Sequence, residues 1–202
     1  MKELYEHLVP LPRELALDNE RLATAVSPED FVQLVPKGLL RENLEKALGI
    51  YRDNPRPFFL EAALDRGSFQ GLLVGMEKLS QEDRENVQPM VYQEVDIFHL
   101  MLVARGKFYY NLSSEMLRPL HVAGTRITRA LFAVMLNDTD LHTSAGRVAQ
   151  RVLDAAPFEK GLKDGTTVID ASALEVFAWE RFFRLANLAF RQSHMGLGAI
   201  MG

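Results

Sequence analysis

The chain has 202 residues, 48% hydrophobic and 25% charged, enough to bury a core in the proportions of an ordinary globular protein. Its formal net charge of -4 leaves no clustered positive charge for phosphate, because basic stretches such as "RENLEK" and "EKLSQEDREN" also carry acids; nucleic acid is excluded as the main partner. Cysteine is absent, which excludes disulfides, thiolate metal sites and cysteine nucleophiles together and fits a reducing cytoplasm.

The first residues, "MKELYEHLVPLPREL", lack the apolar core of a signal peptide. No uninterrupted apolar run anywhere approaches the ~18 residues of a membrane span. Ser27-Pro28-Glu29-Asp30 has the form of a helix start: a hydroxyl cap, proline at the first helical position and acids in the first turn. In "EAALDRGSFQGLLVGMEKL", Gly67, Gly71 and Gly75 recur every four residues and line one helix face. Each interior glycine costs about 1 kcal/mol relative to alanine, so the stripe implies a second backbone packed closely along it. On that expectation Gly71→Leu overpacks the contact.

Ser80 with Asp83, and Ser172 with Glu175, have capping-box spacing. Between them lies "YQEVDIFHLMLVARGKFYYNL" (92–112), an apolar run with Glu94 and Asp96 before it and Arg105 and Lys107 after it. Acids near the start of a helix and bases near its end oppose the helix dipole. Arg105 also suits bidentate pairing with a carboxylate of a neighbouring helix. Asp96 and His99, three apart, share a face, whereas Glu94 diverges from Asp96. The five histidines are scattered, and catalysis lacks a convergent residue set. "GLGAIMG" at the end has glycine spacing without the strand, lysine or acid that a phosphate site requires. The best β-like fragment, "TTVI" at 166–169, is too short to found a sheet. The expectation is an all-α chain of about eight or nine helices.

The chain also echoes itself. "SPEDFVQLVPKGLL" from Ser27 pairs with "SAGRVAQRVLDAAP" from Ser144, 117 positions on; Glu61 pairs with Glu180 at 119, and Val9 with Val122 at 113. This period divides the chain into the tail of one helical repeat (1–26), a complete repeat (27–143) and the first half of another (144–202). The charged helix would recur just past Gly202, so the sequence reads as cut from something longer.

Glu94, Asp96, Leu100, Arg105, Gly106, Lys107 and Leu112, followed by Pro119, Leu120 and Gly124, form a pattern that resembles the C subunits of archaeal and bacterial V-type (A-type) ATPases, whose eukaryotic counterpart is the d subunit. "ALDRGSF" (63–69) is similar to the family's preceding "LDR-x-aromatic" helix, and "SHMGLGAIMG" to the approach to its last copy. The family usually has Asn where His99 stands and Pro where Ala123 stands. The resemblance implies three copies of a helical unit about a pseudo-threefold axis. It also implies a non-catalytic central-stalk protein that needs no cofactor or metal. Such a protein sits on the cytoplasmic face of the proteolipid ring, receives the D and F axle subunits, and serves H⁺ or Na⁺ transport according to the ring. Glu94, Asp96, His99, Arg105, Lys107 and the three glycines would then be structural or interfacial. Two other classes share the composition: a free-standing α-helical adaptor, and a helical metalloenzyme built on Asp96 and His99.

Overall fold

The computed structural model describes residues 18–153 and 170–192. Among them it contains nine α-helices, one π-helical segment and one 3₁₀ turn, with no strand. The "TTVI" fragment, the terminal "GLGAIMG", and the segments containing Val9, His7 and His194 lie outside the described residues. Two compact units divide between Gln70 and Gly71.

The first unit holds α1 (Asn19–Leu22), α2 (Pro28–Leu34), α3 (Leu39–Asp53) and most of α4 (Pro57–Met76). Ser27 caps α2 by accepting the Asp30 N–H at 3.0 Å, with Pro28 at the first helical position. The apolar residues of α2 and α3 recur at helical spacing and close a small core of Val32, Val35, Leu44, Ala47, Leu48 and Ala63. Asn43 is buried inside this unit. Its amide donates to the Leu39 carbonyl and to Gln70 Oε1, and its oxygen accepts from Arg66 of the "LDR" stretch.

Gly67 shows why that helix pair can close. A Cβ built there would lie 2.9 Å from Leu40 Cα, closer than real side chains approach backbone. The same construction at Gly71 or Gly75 meets nothing within 4 Å. The expectation of a second backbone along the whole stripe is therefore corrected: of the three glycines close approach holds at Gly67 alone, and no backbone stands close enough to Gly71 to meet even a Cβ.

The second unit is built on α5 (Gln81–Met101), which passes directly into the π-helical segment Leu102–Tyr109. Ser80 caps α5 through Asp83 N–H, and Glu82 and Asp83 are its first-turn acids. Glu94 and Asp96 thus stand in the middle of a helix, and their expected role against its dipole is corrected in favour of these earlier acids. The helix runs through Pro89, and both Pro89 and Glu85, whose carbonyl the proline leaves without its helical N–H, are exposed residues.

After α5 come α6 (Ser114–Leu117), the 3₁₀ turn Arg118–Leu120, α7 (Arg129–Asn137), α8 (Leu141–Val152) and α9 (Ala171–Gln192). α9 is capped by Asp170, whose carboxylate accepts the Ala173 N–H at 2.8 Å, so the Ser172–Glu175 capping box is corrected by two residues. Asp140 caps α8, and the 143/144 boundary drawn from the repeat falls inside that helix. α9 lies antiparallel on α5. Ala178, Ala186 and Ala189 let it approach closely, and Ala186 and Ala189 pack with Met90, Val91 and Val87.

The glycines separate by experiment. Gly67→Ala is expected to lower stability by about 1–3 kcal/mol through contact with the α3 backbone, while Gly71→Ala raises it by up to about 1 kcal/mol. Chemical denaturation checks both, and an equal loss at the two positions would restore the close-packed stripe.

Candidate functional site

A helix as buried as the second half of α5 should be apolar throughout. Three polar residues interrupt it at intervals of three, which places Gln93, Asp96 and His99 along one face, each with no exposed surface. Buried polar groups must be bonded, and these bring in the segment that follows the 3₁₀ turn. The Asp96 carboxylate accepts the Ile127 N–H at 3.0 Å on Oδ1 and the Arg126 Nε–H at 2.7 Å on Oδ2. Arg126 donates a second time, from Nη2 to Gln93 Oε1 at 2.6 Å. The Gln93 amide then donates to the Val152 carbonyl at the end of α8 and to the Ala178 carbonyl of α9. One row of side chains on α5 thereby ties down the 121–127 segment, α8 and α9.

His99 completes the row. Its Nε2 accepts the Val122 N–H at 2.9 Å, which requires the neutral ring with its proton on Nδ1. That nitrogen stands 3.8 Å from Asp96 Oδ1, an electrostatic contact longer than a hydrogen bond. The ring stacks on His121 with centroids 4.6 Å apart and planes 11° from parallel, and Phe132 packs on both. His121 Nε2 faces the Ile127 carbonyl at 2.9 Å, so that nitrogen donates. Gly124, at the exposed tip of this segment, has φ +97°, in the left-handed region that a side chain disfavours.

Burial alone would raise the Asp96 carboxyl. The pull of the nearby His99 N–H, the hydrogen bonds from Ile127 and Arg126, and the Arg126 charge outweigh it and hold the group below its ordinary value. Burial pushes His99 down, against the pull of Asp96. Glu94 is half-buried on another face, and burial pushes its carboxyl up.

The bases belong to a second cluster. Tyr110 N–H bonds back five residues to the Arg105 carbonyl, the π-helical spacing. Arg105 pairs with Glu175 of α9 where both are partly exposed. Lys107 reaches the carbonyls of Leu136 and Asp138, so its ammonium sits at the C-terminal end of α7 and opposes that dipole. Asp138 is held in turn by Arg147 and Ser144 of α8, and these bonds, that from Arg147 foremost, keep its carboxyl low. Ser144, paired in sequence with Ser27, is thus buried inside a helix. The sequence-selected residues therefore separate: Asp96 and His99 come together, Arg105 and Lys107 bind different helices, and the glycines join neither cluster.

Sequence reasoning missed Gln93, His121 and Arg126. Gln93 was detectable as the third member of a polar row on an apolar helix, but nothing local marks Arg126 as a partner of that row. The Asp96–His99 pair offers a metal little: Oδ1, Oδ2 and Nε2 are each engaged by an N–H, and Nδ1 carries a proton. Among the described residues no three His, Cys, Asp or Glu side chains converge as a metal site.

Removing the carboxylate should be severe, because it orphans the Ile127 N–H and an arginine together. Asp96→Ala is expected to cost about 3–5 kcal/mol, and Arg105→Ala, at a pair 48% and 36% exposed, less than about 1 kcal/mol. Because the folded state holds the Asp96 carboxyl below its ordinary value, the unfolded chain binds its proton first as pH falls. Its stabilisation is present above the ordinary carboxylate value and is lost as pH falls from there through the lowered folded one. Denaturation midpoints should therefore decline more steeply below about pH 4 in the wild type than in Asp96→Asn; parallel declines would remove Asp96 from the acid response.

Residues 1–202 match the family model described as ATP synthase (C/AC39) subunit. The C subunit of the A-type ATP synthase of Methanosphaera stadtmanae is 26% identical over 207 residues, an alignment that covers 100% of this chain and 52% of that protein. The chain thus spans about half the length of this curated relative. No solved structure gives a significant match. With the whole chain inside the family model, the protein belongs to the ATP synthase (C/AC39) subunit family, the non-catalytic C-type subunits of rotary ATPases.

Proposed function

We propose that this chain acts in the central stalk of a rotary ATPase, joining the D and F axle subunits to the proteolipid ring at the cytoplasmic face of the membrane. The family match along the whole chain carries this reading. The geometry of α5 supports it: its buried charges are engaged in holding helices together, which suits a part that transmits force and not one that performs chemistry. Among the described residues no helix is long and apolar enough to cross a membrane, so contact with the membrane sector runs through the ring in this proposal. The coupled ion, H⁺ or Na⁺, is then set by the ring.

The repeat belongs to the same proposal. Ser27 and Asp140 both cap helices and stand 113 positions apart, the offset also seen between Val9 and Val122. A helical unit used more than once is the economical way to build a socket around an axle.

The test uses the protein recovered from native membranes under conditions that keep the ATPase assembled. Ring and axle proteins are expected to come with it, and the purified protein is expected to show no ATP binding by calorimetry. Recovery without any other ATPase component would favour the adaptor class, and micromolar ATP binding would overturn the non-catalytic role.

A further inference from the structure

We propose that His99 is an acid-released latch: its neutral imidazole holds the Val122 backbone against α5, and protonation frees the 121–124 stretch while Asp96 still holds Arg126 and Ile127. The observation is the direction of one hydrogen bond. Val122 N–H donates to His99 Nε2, so that nitrogen must keep its lone pair. A protonated ring carries hydrogens on both nitrogens, and an Nε2–H would then face the Val122 N–H donor to donor. Val122 has 1% of its surface exposed, so no water stands ready to accept the orphaned amide.

The groups around the ring decide whether charge could instead be accommodated. On its own helix Asp96 lies 3.8 Å from Nδ1 and would attract a cation. Both oxygens of that carboxylate already accept bonds, and Arg126 already balances its charge. The 121–127 segment brings His121, stacked face to face on the ring, and Arg126, bonded to Asp96; α7 brings the uncharged ring of Phe132. A second cation would therefore share one carboxylate with Arg126 inside the core. Burial prevails and keeps His99 neutral below the ordinary histidine range. His121 differs, because its Nε2 faces a carbonyl and that bond survives protonation.

The sign follows by linkage. The latched ring resists a proton that the released ring accepts near pH 6.5, so acid favours release from about that pH downward. The exposed turn at Ala123 and Gly124 gives the stretch room to lift. The device belongs to this chain, since its histidine is the proton-sensitive group, and it is independent of the stalk role.

Residue-resolved amide hydrogen exchange on the 202-residue chain tests it, with rates corrected for intrinsic pH dependence. Between about pH 7.5 and 5.5 the protection of Val122 should fall up to about tenfold relative to Ile127. In His99→Gln, whose Oε1 accepts an N–H at either pH, the ratio should stay constant. An unchanged ratio in the wild type, or the same fall in the variant, overturns the latch. Should the variant not fold, imidazole ¹⁵N shifts of the wild type decide. The latch requires the Nδ1–H tautomer at neutral pH and a His99 titration that tracks the loss of Val122 protection. Titration near pH 6.5 with Val122 protection intact contradicts it.

Discussion

A carboxylate with no exposed surface, Asp96, sets the terms for the second unit. A lone buried charge is too unfavourable to persist, so folding must deliver enough donors to it. They come from a segment about thirty residues downstream, as the Arg126 guanidinium and the Ile127 N–H. That requirement fixes where the chain goes after the 3₁₀ turn. Gln93 extends the same logic, since one amide reaches the last carbonyl of α8 and a mid-helix carbonyl of α9. Apolar packing supplies most of the stability, but it is tolerant of small slides. The polar row specifies which position along α5 each neighbour adopts.

The π-helical segment continues this division of labour. Its wider turn places Arg105 towards α9 and Lys107 towards the end of α7, so two bases two residues apart serve two different helices. The exposed Arg105 pair contributes little energy, and Lys107 joins Ser114 in satisfying carbonyls at the end of α7. Small residues do the complementary work. Alanines on α9 and Gly67 on α4 permit close approach, each within its own unit.

Much of this was legible in sequence because its causes are local. Ser27 and Ser80 cap helices through bonds spanning three residues, and the periodicity that makes the chain all-α is equally short-ranged. Family membership was legible from the spacing between Glu94 and Gly124. Other features have non-local causes. Whether Gly71 meets a neighbour depends on where other helices lie, and the glycine pattern alone does not contain that answer. A proline usually stops a helix, yet Pro89 stands inside α5, and the exposure of Glu85, whose carbonyl it frees, depends on where the other helices lie. Arg126 sits in a turn like many surface arginines; only the need of Asp96 brings it inward. Asp170 displaced the capping role given to Ser172 because either side chain can accept the same kind of N–H, and local sequence does not rank them.

The organisation of the second unit rests on the Asp96–Arg126 bond being energetically coupled, not merely a matter of adjacency. A double-mutant cycle of Asp96→Ala and Arg126→Ala, read by denaturant unfolding, measures that coupling directly. Each single change strands the other group, so the double mutant should be more stable than the sum of the two losses implies, by at least about 1 kcal/mol. Additivity within about 0.5 kcal/mol would show that the charges lie near each other without holding anything, and the organisation built on them would fall.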